Sequence, residues 1–135
     1  MNKRFKSMRA VVSAALILSA AAIITTSILP GVMLKRLYAS AADDLDAAME
    51  LTLAGENPLA YERIESLCEK LDKKKHIIMT FYDHNGVIEL TGSAEAAREL
   101  AKTKDTAQLV VELYDIRKAF DYLIHSNDAR FYNVF

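Results

Sequence analysis

The chain has one cysteine, four glycines, two prolines and no tryptophan. With Cys68 alone, no intrachain disulfide can close. Cys68 also lies far from the apolar N-terminal stretch, which excludes the lipid-anchoring cysteine found at the end of some signal sequences. Four glycines leave little for a phosphate cradle. No glycine-rich phosphate loop, Ser-His-Asp order, zinc spacing or paired-carboxylate arrangement stands out either. An enzyme is therefore not expected, and no cofactor is implied. Cys68 shares a helical pattern with Ile64, Leu67 and Leu71, so it reads as a small core residue rather than a reactive thiol.

Acidic residues are missing as far as Leu37, a stretch that holds the six cations Lys3, Arg4, Lys6, Arg9, Lys35 and Arg36. From Tyr38 onward eleven Lys or Arg face eighteen Asp or Glu, a balance of −7. A domain this acidic is repelled by phosphate backbones, so a nucleic-acid partner is not expected.

Ala10 to Leu29 is free of charge over twenty residues. At ~1.5 Å per residue such a helix measures about 30 Å, the thickness of a bilayer's hydrocarbon core. The four cations before it place the N-terminus in the cytoplasm by the positive-inside rule, and Lys35 and Arg36 do not outnumber them. The expected division is a basic cytoplasmic tail over 1–9, a transmembrane anchor over 10–33 and a helical domain outside the cytoplasm over 34–135. A cleaved signal peptide is the competing reading. It needs an apolar core of only about 7–15 residues and a small-x-small site just beyond it. Leu29 to Lys35 offers no such site, and Ala39-Ser40-Ala41 lies past two cations on a helical pattern. The uncleaved anchor, with the lipid bilayer as its first partner, is favoured. Small residues at Ala15/Ser19 and Ala22/Thr26 are spaced to let another transmembrane helix approach, including one from a second copy of the chain, but any alanine-rich stretch shows such pairs by chance and that is the preferred reading.

Beyond the anchor, Leu34, Tyr38, Ala41, Leu45, Ala48 and Thr52 mark one face of a helix that continues almost directly from the membrane and stops at Gly55. Pro30-Gly31 marks the place for a kink at the surface. Asn57-Pro58 restarts the chain, with Asn57 as N-cap and Pro58 in the first helical position. Ala60, Ile64, Leu67 and Leu71 carry the next stripe, and Val87, Leu90, Ala94, Ala97 and Ala101 a third. Asp105 is placed to cap a fourth helix striped by Leu109, Leu113, Ile116, Phe120 and Leu123. A shift of 49 residues superposes Ala60, Ile64, Leu67 and Leu71 on Leu109, Leu113, Ile116 and Phe120. Two helical hairpins related in this way predict an all-α fold, an antiparallel four-helix-bundle-like domain joined to the N-terminal transmembrane helix. Residues 76–91 read equally as helix or as a hairpin, because Asn85-Gly86 between apolar runs is a strong turn signal.

Asp83-His84 is the most specific local pair, and these two are the candidate metal ligands. Adjacent helical residues point about 100° apart, however, and a metal needs at least three converging ligands. Capping or inter-helix hydrogen bonding is the preferred role. Asp43, Asp44 and Asp46 lack the glycine and final glutamate of a calcium loop and read as a solvated face. Lys73-Lys74-Lys75 reads as a solvated helix end. The aromatic terminus, chiefly Phe131, Tyr132 and Phe135, is the candidate partner-binding element, although folding back over the bundle's open end is the preferred reading.

Around Phe81-Tyr82-Asp83-His84, followed by apolar Val87 and Leu90, the chain resembles a family of N-terminally anchored helical proteins of Gram-positive, often spore-forming bacteria, catalogued as domain of unknown function 4363. The order of anchor, hairpin, aromatic-x-Asp-His, second hairpin and a tail like Asn133-Val134-Phe135 is shared over nearly the whole chain. The resemblance implies helix rather than hairpin at 76–91 and no known reaction. It also implies a small multi-spanning membrane protein as partner, since genes for one often lie beside those of the family. The function expected on these grounds is a membrane-tethered accessory or interaction protein outside the cytoplasm. The alternative is a ligand- or metal-sensing bundle.

Overall fold

The computed structural model describes the backbone of residues 2–103 and 105–132, and the side chains of 8–103 and 105–126. The fold is all-α. Helix α1 spans Asn2–Leu53, α2 Asn57–Phe81, α3 His84–Leu100 and α4 Thr106–Tyr132. Each helix packs on two neighbours, α1 on α2 and α4, and α3 on α2 and α4, which closes a four-helix bundle. Helices α2 and α4 begin 49 residues apart, as the sequence repeat requires.

Burial divides α1 in two. Every side chain from Met8 to Leu29 is exposed. From Pro30 onward one stripe turns inward, with Leu34, Ala41, Leu45 and Ala48 at 0–1% exposure. Helix α1 runs through Pro30 without a break in its assignment. Its end is a Schellman motif. Gly55 takes φ +79°, the Glu56 N–H donates to the Leu51 carbonyl at 2.9 Å, and the Gly55 N–H to the Thr52 carbonyl at 3.1 Å. A left-handed residue is required there, and glycine adopts it without a Cβ clash.

The next start departs from expectation. Asn57 is the first residue of α2, Glu56 occupies the cap without a side-chain bond, and the Asn57 Oδ1 atom is buried with no hydrogen-bond partner. The Schellman turn has already committed Glu56 and brings the chain straight into helix, so Asn57 has no extended residue from which to cap.

The ambiguous stretch is helical on both sides of a short break at Tyr82-Asp83. Asp83 caps α3, its Oδ2 accepting from the Gly86 N–H at 3.0 Å. Gly86 does not make a hairpin turn; it lets α3 approach α4. A Cβ there would meet Leu123 Cδ2 at 2.8 Å and the Tyr122 ring at 3.1 Å. Gly92, on the same helix, has nothing within 4 Å of a built Cβ. The two glycines should therefore respond to alanine with opposite signs. Gly92→Ala is expected to stabilise by about 0.5–1 kcal/mol through helix propensity. Gly86→Ala is expected to destabilise by about 1–2 kcal/mol, because fully buried Leu123 has nowhere to move. Thermal melts of the two variants in detergent check this, and a stabilised Gly86→Ala would contradict the close approach.

The core is otherwise the set of stripes read from the sequence. Ile64, Leu67, Leu90, Ala97, Leu113, Ile116, Phe120 and Leu123 are at 0% exposure. Asp105 caps α4, accepting from the Gln108 N–H at 3.1 Å.

Candidate functional site

The sequence candidates scatter rather than converge. Asp83 Oδ2 is occupied by the Gly86 N–H, and His84 is exposed at the first position of α3. His76 is exposed on α2, and exposed His125 pairs its Nδ1 with the Asp121 carbonyl of its own helix at 2.7 Å. Among the described residues no three His, Cys, Asp or Glu side chains are grouped to hold a metal. Phe135 and the side chains of Phe131 and Tyr132 lie outside the described residues.

The acidic run on α1 is more than a solvated face, and here the sequence reading is corrected. Asp43 and Asp46 are exposed, but Asp44 is buried at 5% exposure on the side facing α2. Its Oδ2 accepts from Lys70 Nζ at 2.5 Å and from Ser66 Oγ at 2.9 Å, and Arg63 Nη1 stands 3.4 Å from Oδ1. Lys70 also donates to the Ser40 carbonyl at 2.6 Å, so one ammonium pins two turns of α1 to α2. Asp46 reaches the other way and pairs with Arg117 of α4. Two carboxylates two positions apart thus tie α1 to both its neighbours.

Burial raises the Asp44 pKa, but the Lys70 hydrogen bond, the Ser66 hydroxyl, the Lys70 charge and Arg63 together outweigh it and hold the carboxyl below its usual range. A depressed folded value stabilises the fold above the ordinary aspartate pKa of about 3.9, and that stability disappears as pH falls through the folded value. Asp44→Asn should therefore flatten the acid limb of a stability-against-pH curve. It should also lower stability at pH 7 by about 1–2 kcal/mol, a modest figure because Lys70 and Arg63 remain partly hydrated. Denaturant titrations of both proteins between pH 3 and pH 7 test this, and identical acid limbs would remove Asp44 from the account.

Cys68 is buried between α2 and α3, its Sγ 3.4 Å from the Ala94 carbonyl. Burial, opposed by the Arg98 charge and joined by nearby Glu65, Asp72 and Glu95, pushes the thiol up to about 11, so it stays protonated at neutral pH. A nucleophile is not formed this way.

What remains as a functional surface is the exposed half of α1. Leu16, Ile17 and Leu18 stand 66%, 68% and 70% exposed, with Ile23, Ile24, Ile28 and Leu29 at 50% or above. Two of the hydroxyls within it are turned inward on their own helix. Ser19 Oγ donates to the Ala15 carbonyl at 2.8 Å, and Thr26 Oγ1 to Ala22 at 2.9 Å. These are the small-residue pairs that the sequence marks for helix approach, and their polar atoms are satisfied without a partner. The segment is long and apolar enough to cross a membrane.

The bundle reaches back toward that segment. Ile77 and Phe81, at the end of α2, face Thr25, Leu29 and Pro30 across an apolar cavity of about 100 Å³. Both are more than a third exposed, so the α2–α3 corner presents apolar side chains beside the last turns of that exposed segment.

Comparison with protein families, curated proteins and solved structures finds no match to this chain.

Proposed function

We propose that the protein is a non-enzymatic accessory protein, tethered by α1 to a membrane, whose acidic bundle outside the cytoplasm binds or supports another membrane protein. One observation carries the tether: side chains from Met8 to Leu29 are exposed without exception, and burial starts at Pro30. Exposed apolar surface of this length is stable only where something apolar covers it, and a bilayer covers a ring of side chains on all faces at once. Because α1 is one helix from the span into the bundle core, the bundle is held close to the membrane surface.

The cations Lys3, Arg4, Lys6 and Arg9 support the orientation, with the acidic bundle on the far side. The chemistry supports binding rather than catalysis, since Asp83 is a cap, Cys68 is a protonated core thiol and the histidines are apart. A small multi-spanning membrane protein, the partner class implied by the family resemblance, is the first to look for.

Protease added to intact cells carrying a C-terminally tagged chain tests the arrangement. Digestion of the tag with the span retained in membranes is expected. A protected tag would overturn the orientation, and a chain free in the medium would overturn the tether.

A further inference from the structure

Helices α1 and α2 run antiparallel, and their facing residues set a scale of depth. Asp44 meets Ser66, Ser40 meets Lys70, and Thr25 and Leu29 face Phe81. Between the last two levels the helices part to leave an open groove of about 500 Å³. Its floor is apolar, from Leu29, Val32 and Met33. Arg36 follows these residues on α1, and α2 contributes the cations Lys70, Lys73 and Lys74.

These cations are not equally engaged. Lys70 already donates to Asp44 and to the Ser40 carbonyl. Lys73 stands 3.7 Å from Glu69, but both are largely exposed, so that pair is weak. Arg36 and Lys74 make no ion pair among the described residues. From Tyr38 onward the chain is acidic on balance, so Lys73 and Lys74, set beside Arg36 on one apolar groove, run against the net charge of the bundle.

Depth decides what fits. Leu29 closes the twenty residues that match a bilayer's hydrocarbon core, the charge-free run goes on to Leu34, and Arg36 lies seven residues past Leu29, ~10 Å along the axis. The polar zone beyond the hydrocarbon is about 5–7 Å thick on each side of a bilayer. Side chains on a helix lean toward its N-terminus, which for α1 is toward the membrane, so Arg36 reaches down into that zone.

We propose that this groove binds the head group of an anionic phospholipid. The phosphate sits on the Arg36, Lys73 and Lys74 side, and the acyl chains run down Leu29 and Val32 onto the exposed face of α1. The inference rests on the tether reading given above. A free phosphate uses the cations but not the apolar floor, and an acidic peptide would have to lie where the floor passes into the bilayer. A phospholipid uses both parts, in the order in which the groove presents them.

The test uses the full chain, purified in detergent and presented with equimolar phosphatidylglycerol and phosphatidylcholine, with bound lipid counted by native mass spectrometry. Preference for phosphatidylglycerol of roughly 30–150-fold is expected from two or three cations at the head-group level. The triple variant Arg36→Gln/Lys73→Gln/Lys74→Gln should bring it to within about twofold of parity. A charge-matched control, Arg98→Gln/Lys102→Gln/Lys118→Gln, should keep the preference. No preference in the unaltered chain, equal loss in both triple variants, or displacement of the lipid by excess soluble glycerol phosphate would each overturn the proposal. Flotation of the same chain with liposomes separates the two readings. A chain that does not float removes the tether, whereas one that floats yet shows no lipid preference removes only the site.

Discussion

The double variant Leu18→Arg/Ile23→Arg is expected to lose membrane association outright while its bundle stays folded. Both residues are strongly exposed, at 70% and 64%, and lie near the middle of the charge-free stretch, so nothing in the bundle touches them. An arginine at the centre of a span costs ~2.5–3.5 kcal/mol, and each Leu, Ile or Val there contributes about 0.3–0.6 kcal/mol. Val11, Val12, Leu16, Ile17, Leu18, Ile23, Ile24, Ile28 and Leu29 together supply roughly 3–5 kcal/mol on that scale. Two arginines outweigh this and remove two of its contributors, so the sign of insertion reverses. Flotation with liposomes is the suitable measurement, because aggregated chain pellets with membranes but does not float with them. A double variant that still floats as the unaltered chain does would mean that something other than the apolar face of α1 holds the protein to lipid. Circular dichroism on the same samples should show an unchanged thermal midpoint for the bundle.

The division of α1 into an exposed apolar half and a half striped for the bundle was legible in the sequence because both depend on pattern alone. A charge-free run of twenty residues and stripes spaced by three and four need no knowledge of tertiary neighbours. Leu109, Leu113, Ile116, Phe120 and Leu123 repeat without interruption, and all five are buried. Three positions were not legible, each because a neighbour distant in the chain determines its role. Asp44 sits among exposed acids and looks like one of them until Ser66 and Lys70 of α2 come alongside. Gly86 follows Asn85 as in a hairpin turn, yet its missing Cβ makes room for Leu123 of α4, thirty-seven residues on. Asn57 has the residue type of a cap, but the bonds that close α1 through Gly55 and Glu56 leave it inside the helix. The groove beside Arg36 belongs to the same class. Lysines at 73–75 read as a helix end, and only the packing of α2 on α1 sets two of them against Leu29, Val32 and Met33.

Phe120 is where a single truncation should do the most damage to the bundle. It is the largest fully buried side chain, at 0% exposure on α4, and its ring lies 5.1 Å from that of Tyr38 on α1 at a tilt of 40°. Tyr38 stands one turn beyond Leu34, so the ring pair closes the α1–α4 seam near the end of the bundle closest to the span. Burying a phenylalanine and then deleting it leaves a cavity, and such truncations cost about 3–5 kcal/mol. The tilted ring contact adds about 0.5–1.5 kcal/mol beyond area alone. Domains of this size are stable by only about 5–15 kcal/mol, so Phe120→Ala should remove a third or more of the total. At about 4–8 °C per kcal/mol the melting midpoint should fall by roughly 12–40 °C. Phe120→Leu, which keeps most of the volume, should cost less than half as much. Tyr114→Ala, on the same helix but 61% exposed, should stay within about 0.5 kcal/mol. Equal losses at Phe120 and Tyr114 would mean that α4 does not present this face to α1, and the closed four-helix arrangement would have to be redrawn. The expected ranking has a functional consequence as well. Opening the α1–α4 seam frees the start of α1's buried stripe from one of its two neighbours, so Phe120→Ala should loosen the bundle just above the membrane while leaving the span in place. Flotation of that variant should therefore match the unaltered chain even as its melting midpoint drops, the converse of the arginine pair.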